Sequence, residues 1–231
     1  MEFTLRPDNE KWMRFKIGTV FPADSILARW VAGLTMIAND LVQINIHYLD
    51  KSQEERVDNT PESLFLFYLT CSLYREAAKF LDESKHHEDI HTFIKQMPIE
   101  AQERWGNIKS SFDPWPDSFV CNDVKPVRDA LFHYPSPSDS RWVEVLGDLG
   151  SHVGGVRIRG NRAADVRGVF ADDLRTAMLT SHLHGQALDL AGFIQRMSLC
   201  ATQLMLFAHE SMAEYLNSIP REDIEFDEGM A

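Results

Sequence analysis

Basic residues are scarce in this chain: 23 lysines and arginines stand against 35 aspartates and glutamates among 231 residues, a formal net charge of -12. A surface of that sign repels nucleic acid and acidic membranes as a whole, so any nucleic-acid site must be local and basic. Cysteine is scarcer still. Cys71, Cys121 and Cys200 are odd in number and lack CxxC spacing, which argues against a disulfide framework and for buried thiols in a reducing compartment. No uncharged run approaches the roughly 18 residues of a membrane span, and "MEFTLRPDNEKW" places charges where a secretory leader needs an apolar core. The expectation is a soluble, cytoplasmic protein with no membrane partner. Internal repeats, low-complexity tracts, a serine nucleophile elbow and an HExxH pair are also missing. "HVGGVRIRGNR" is glycine-rich and basic, yet it lacks the strand–GxGxxG–helix order and the GKS or GKT ending of phosphate-cradling loops. Neither a cofactor nor a resident metal is expected.

What the chain has in abundance is helical periodicity. Ile26, Trp30, Leu34, Ile37, Leu41, Ile44 and Tyr48 recur at intervals of three and four, predicting one long helix over about 24–50 with a single apolar stripe. Thr60-Pro61 predicts a second start, a hydroxyl cap followed by proline in the first turn, continued by Leu64, Tyr68, Cys71, Tyr74, Ala78 and Leu81. Two shorter helices follow over 88–97 and 98–110, and "FDPWPDSF" interrupts the pattern as loop. Helix re-enters at Asn122 or Asp123, with Pro126 in its first turn, and stops at "YPSPSDS". Residues 141–149 suit one more helix. A last long helix spans about 184–216, with Leu188, Ala191, Ile194, Ala201, Leu204, Ala208, Met212 and Tyr215 on its stripe. The only strand signal is "HVGGVRIRG" and "DVRGVF" flanking "GNRAA", where Val156 and Ile158 alternate with Arg157 and Arg159: a β-hairpin over about 152–171.

These elements predict an all-α bundle of long antiparallel helices with a small hairpin inserted before the last helix, forming one domain over 1–220. "REDIEFDEGMA", residues 221–231, carries five acids against one arginine and reads as a solvated, flexible acidic tail.

The chemistry concentrates in "KPVRDALFHYPSP", residues 125–137. Asp129 and His133 are four apart and share a helix face, with Arg128 one step around. Asp129 would accept a hydrogen bond from one imidazole nitrogen and leave the other for proton transfer near neutral pH. Arg128 offers a planar, permanently charged fork suited to phosphate.

Arginine, a polar residue, three further positions and histidine, here "RDALFH", resembles the signature of the HEPN superfamily (higher eukaryotes and prokaryotes nucleotide-binding). The resemblance spans about 24–216 in architecture and is specific at the motif. It implies a helical bundle acting as a metal-independent endoribonuclease of a defence, abortive-infection or toxin–antitoxin system, with an antitoxin as partner. Carried onto this chain, Arg128 would stabilise the RNA phosphate and Asp129 would be the polar residue after the arginine. His133 would promote attack of the ribose 2′-OH, leaving a 2′,3′-cyclic phosphate. The resemblance also implies a homodimer whose motif helices meet in one composite site. Tyr134, beside His133, and Arg157, Arg159 and Arg162 of the hairpin are the candidate RNA-binding residues; Arg167 and Arg175 add to the local positive surplus. The competing expectation is a non-catalytic dimerisation or partner-binding module, in which Arg128, Asp129 and His133 form a polar network closing a helix end.

Weaker constellations remain. His87 and His91 in "KHHEDIH" have i, i+4 spacing with His86, Glu88 and Asp89 beside them, compatible with a surface metal site but without an assignable third ligand. His182 and His184 could add ligands or merely cap a helix. Trp30 and "LFLFYL" read as core, and Trp115 as a packing anchor or a groove wall.

Overall fold

The computed structural model describes residues 12–53, 60–112, 118–132, 138, 140–151, 156–158, 166–168, 171, 174, 176–178 and 190–227. In chain order these form β1 (Trp12–Phe15), α1 (Ile17–Val20), α2 (Ile26–Gln53), α3 (Thr60–Ser84), α4 (Glu88–Gln96) and α5 (Ile99–Phe112). A π-helical turn (Val120–Val124) then runs into α6 (Lys125–Phe132), followed by α7 (Arg141–Asp148), β2 (Val156–Ile158) and β3 (Val166–Gly168). The long α8 (Leu190–Asn217), a 3-10 turn (Arg221–Asp223) and β4 (Ile224–Asp227) complete the described chain.

The molecule is an all-α bundle. Helices α2, α3, α5 and α8 pack as a ring, α2 on α3, α3 on α5, α5 on α8 and α8 on α2. Side-chain pairs give their directions. Trp30 meets Ser84 while Gly33 meets Phe80, so α2 and α3 are antiparallel. Arg104 meets Glu210 while Ser111 lies beside Cys200, so α5 and α8 are antiparallel too. Phe67 meets Phe193 while Tyr74 meets Met197, so α3 and α8, on one diagonal, run the same way. An aromatic knot of Trp30, Phe93, Trp105 and Phe207 occupies the core, with Trp105 stacked on Phe207 at 5.1 Å between ring centres. The buried Trp30 indole N–H donates to Ser84 Oγ at 2.7 Å, which satisfies the one polar atom that such a ring brings inside.

The α2 stripe is buried largely as its periodicity requires: Trp30, Leu34, Leu41 and Ile44 face inward. The α8 stripe is shifted. Ile194 is 46% exposed, whereas Phe193, Met197 and Cys200 are buried, because the inward face of the first turns is set by contact with Phe67 and Phe119. The hairpin forms, with β2 and β3 antiparallel and Val156 opposite Gly168, Arg157 opposite Arg167 and Ile158 opposite Val166.

A second small sheet had no counterpart in the sequence reading. Strand β4 pairs antiparallel with β1, Trp12 opposite Asp227 and Phe15 opposite Ile224. Residues 224–227, read as part of an acidic tail, are therefore strand; Ile224 and Phe226 alternate with Glu225 and Asp227, a period of two beneath the acid excess. Residues 228–231 lie outside the described chain. Among the described residues no helix is long and apolar enough to cross a membrane.

Candidate functional site

The motif helix starts earlier than Asn122 or Asp123. Ser118 caps it: its Oγ accepts from the Cys121 N–H at 3.2 Å and its carbonyl from the Asn122 N–H at 2.8 Å. Pro126 then sits within a continuous helix rather than in a first turn. A proline there removes one backbone donor and collides with the carbonyl four residues before it. The π turn over 120–124 widens the backbone where that collision falls, so helix continues into α6 without a break.

Asp123 is a helix-interior carboxylate rather than a cap. It accepts from Arg196 Nη1 of α8 at 3.2 Å, and the same guanidinium lies 4.3 Å above the Phe119 ring. Burial pushes the Asp123 carboxyl up from its ordinary value, while Arg196 pulls it down.

Val124 and Val127 are fully buried where the π turn and α6 pack on α3. Burying that face leaves Arg128 and Asp129 at the rim, with side chains 21% and 38% exposed. Arg128 Nη1 donates to Asp129 Oδ1 at 2.9 Å. A second guanidinium reaches the same oxygen: Arg75 Nη1, from α3, is 3.9 Å away. The next residue on α3, Glu76, accepts from Lys79 Nζ at 2.8 and 3.0 Å. Its carboxyl is held below the ordinary value first by that hydrogen bond, then by the fields of Lys79, Arg75 and Arg128.

Of the residues singled out in the sequence, Arg128 and Asp129 are thus brought together. His133, Tyr134, Arg159 and Arg162 lie outside the described residues, as do Arg175, Trp115, His182 and His184. Arg157 is placed in β2 by its backbone. The described partners of the Asp129 carboxylate are guanidiniums, where the sequence suggested the imidazole of His133. Arg75 was missed altogether. It borders the buried α3 stripe beside Tyr74, and only the docking of α6 on that side of α3 makes it part of the site.

The remaining constellations have local explanations. His91 Nε2 lies 3.0 Å from the Lys85 carbonyl in the turn between α3 and α4, and His87 occupies the position before α4. Among the described residues no group of three His, Cys, Asp or Glu side chains converges on a metal-sized site. Cys71 and Cys200 are core thiols; burial pushes Cys71 up to about 12 and raises Cys200 despite Ser111 and Arg196. Neither is a thiolate at neutral pH, so neither is poised as a nucleophile.

No protein-family model, curated protein or solved structure matches the chain.

Proposed function

We propose that the protein is a HEPN-like, metal-independent endoribonuclease whose site is centred on Arg128 and His133. The observation that carries the reading is the placement of Arg128. A half-exposed guanidinium is fixed on a short helix by two fully buried valines, beside a second arginine, in a protein whose overall charge is strongly negative. Such a local basic site is what RNA phosphate contact requires of an acidic molecule.

In this reading Arg128 binds the scissile phosphate through its planar fork. His133 removes the 2′-OH proton, and the 2′ oxygen attacks phosphorus as the 5′ oxygen leaves, giving a 2′,3′-cyclic phosphate. Tyr134, Arg157, Arg159 and Arg162 extend the contact with RNA. The active species is a cytoplasmic homodimer held in check by an antitoxin in a defence or toxin–antitoxin setting.

Incubation of wild type and His133→Ala with total RNA in EDTA, with mapping of product ends, tests the assignment. Cyclic-phosphate ends from wild type only, with rates in the variant down at least 100-fold and helix content unchanged, are expected. Equal cleavage by both proteins removes His133 from the chemistry.

A non-catalytic reading, a dimerisation or partner-binding module on the same bundle, draws on α7. Val143 and Leu146 of that helix are 78% and 52% exposed while Val145 is buried, so the helix keeps apolar surface available for a partner. Intact RNA with both proteins, together with a concentration-dependent dimer lost in Leu146→Glu, is its signature.

A further inference from the structure

We propose that Arg75 is the second arm of an anion clamp with Arg128, and that Asp129 is the internal counter-ion an incoming phosphate displaces. The inference deepens the reading above and rests on Arg128 facing the phosphate.

The two guanidiniums come from different helices, and their spacing is set by the packing of α6 on α3 through Val124 and Val127. A clamp built this way is organised before ligand arrives, which lowers the ordering cost of binding. Both arginines converge on one oxygen, Asp129 Oδ1, at 2.9 and 3.9 Å. The shorter contact is a hydrogen bond; the longer is electrostatic only, leaving Arg75 geometrically able to turn its donors elsewhere. One carboxylate cannot neutralise two guanidiniums. With Lys79 and Glu76 included, three cations face two carboxylates, a local surplus in a chain of net charge -12.

The arrangement suits a phosphate group. Two planar forks can grip separate oxygens of a tetrahedral anion, each in the bidentate mode that arginine favours. Asp129 meanwhile keeps the pair from repelling each other in the empty site, at the expense of competing with the ligand. Removing its charge should therefore strengthen anion binding while leaving both guanidiniums in place. Removing Arg75 should weaken binding although that residue lies far from the "RDALFH" stretch in sequence.

The test is calorimetric titration of the purified full-length chain with inorganic pyrophosphate at low ionic strength. Wild type, Arg75→Ala, Arg75→Lys and Asp129→Asn are compared, with far-UV circular dichroism to verify folding. Expected are binding by wild type, a loss of about tenfold or more in Arg75→Ala, partial retention in Arg75→Lys, and a gain of about fivefold in Asp129→Asn. Unchanged affinity in a folded Arg75→Ala removes Arg75 from the site. Weaker binding by folded Asp129→Asn makes Asp129 an organiser and overturns its displacement. No binding by either wild type or Asp129→Asn overturns the clamp. The RNA assay separates the two levels of inference: cleavage dependent on His133 with Arg75 indifferent sinks the clamp alone, whereas pyrophosphate binding as expected with intact RNA leaves an anion site and sinks the nuclease.

Discussion

At the scale of the residue, burial decides which reactive groups are inert. Cys71 is wholly inaccessible and its thiol is pushed up to about 12 from 9.0; Tyr74, in the same core, is raised by burial and by the neighbouring Cys200 and Cys71. The Tyr74 hydroxyl donates to the Met197 carbonyl, a bond that requires the neutral phenol. A raised folded-state value means that the unfolded chain loses its proton first, so this stability is fully present below pH 9 and is lost as pH rises towards 12. A shift of three units corresponds to at most about 4 kcal/mol for Cys71. Denaturant midpoints measured from pH 8 to 11 should be level at first and then fall, and Cys71→Ala should fall less steeply than wild type over the same range. Parallel curves for the two proteins would mean that the thiol ionises no later in the fold than in the open chain.

At the scale of the element, close approach of helices is bought with a glycine. Gly33 of α2 faces the Phe80 ring of α3 so closely that a Cβ would fall 2.5 Å from two ring carbons. Helix propensity favours alanine over glycine by about 1 kcal/mol, but an overlap of that depth forces the ring or the helix aside, at about 1–3 kcal/mol. Gly33→Ala should therefore lower stability on balance, and Gly33→Ala/Phe80→Leu should recover part of the loss in a double-mutant cycle read by chemical denaturation. Additive effects would show that the ring moves aside without cost. This contact also marks the limit of the sequence. The long helices were legible because a stripe of large apolar residues at intervals of three and four has one folding solution, and Trp30, Leu34 and Leu41 do face inward. Periodicity does not say which helix lies against which, so Gly33, an unremarkable glycine within a stripe, and Arg75, a charge on a helix rim, gain meaning only from their neighbours. The motif pair Arg128–Asp129 was legible as chemistry, but the carboxylate's described partners were not. The early helix start at Ser118 was hidden as well, because Pro126 reads as a first-turn residue unless the π turn before it is known.

At the scale of the whole molecule, the two ends of the described chain are closed on one another. β1 and β4 pair in register, Phe21 stacks on Tyr215 at 5.3 Å, and the Tyr215 hydroxyl donates to the Val20 carbonyl at 2.6 Å. That hydrogen bond links residues 195 apart in sequence, so it forms only when the bundle is already assembled. It is nevertheless demanding, because Val20 is fully buried and its carbonyl would otherwise lack this donor. Tyr215→Phe keeps the ring and removes only the hydroxyl, so a cost of about 1–3 kcal/mol in thermal or denaturant unfolding is expected. Deleting residues 224–231 should act differently. It strips the backbone partner from residues 12–15 and leaves the Trp30–Trp105–Phe207 knot untouched, so amide exchange should quicken in β1 while the central helices stay protected. Equal protection of residues 12–15 in both proteins would show that the sheet contributes nothing to holding the end down. The phenol adds a pH signature that tells the two variants apart. Burial raises Tyr215 above 10.0, so its share of stability is present below pH 10 and disappears as pH climbs through the folded value. Tyr215→Phe should lose that alkaline component, whereas the truncated chain, which retains the hydroxyl and the Val20 carbonyl, should keep it.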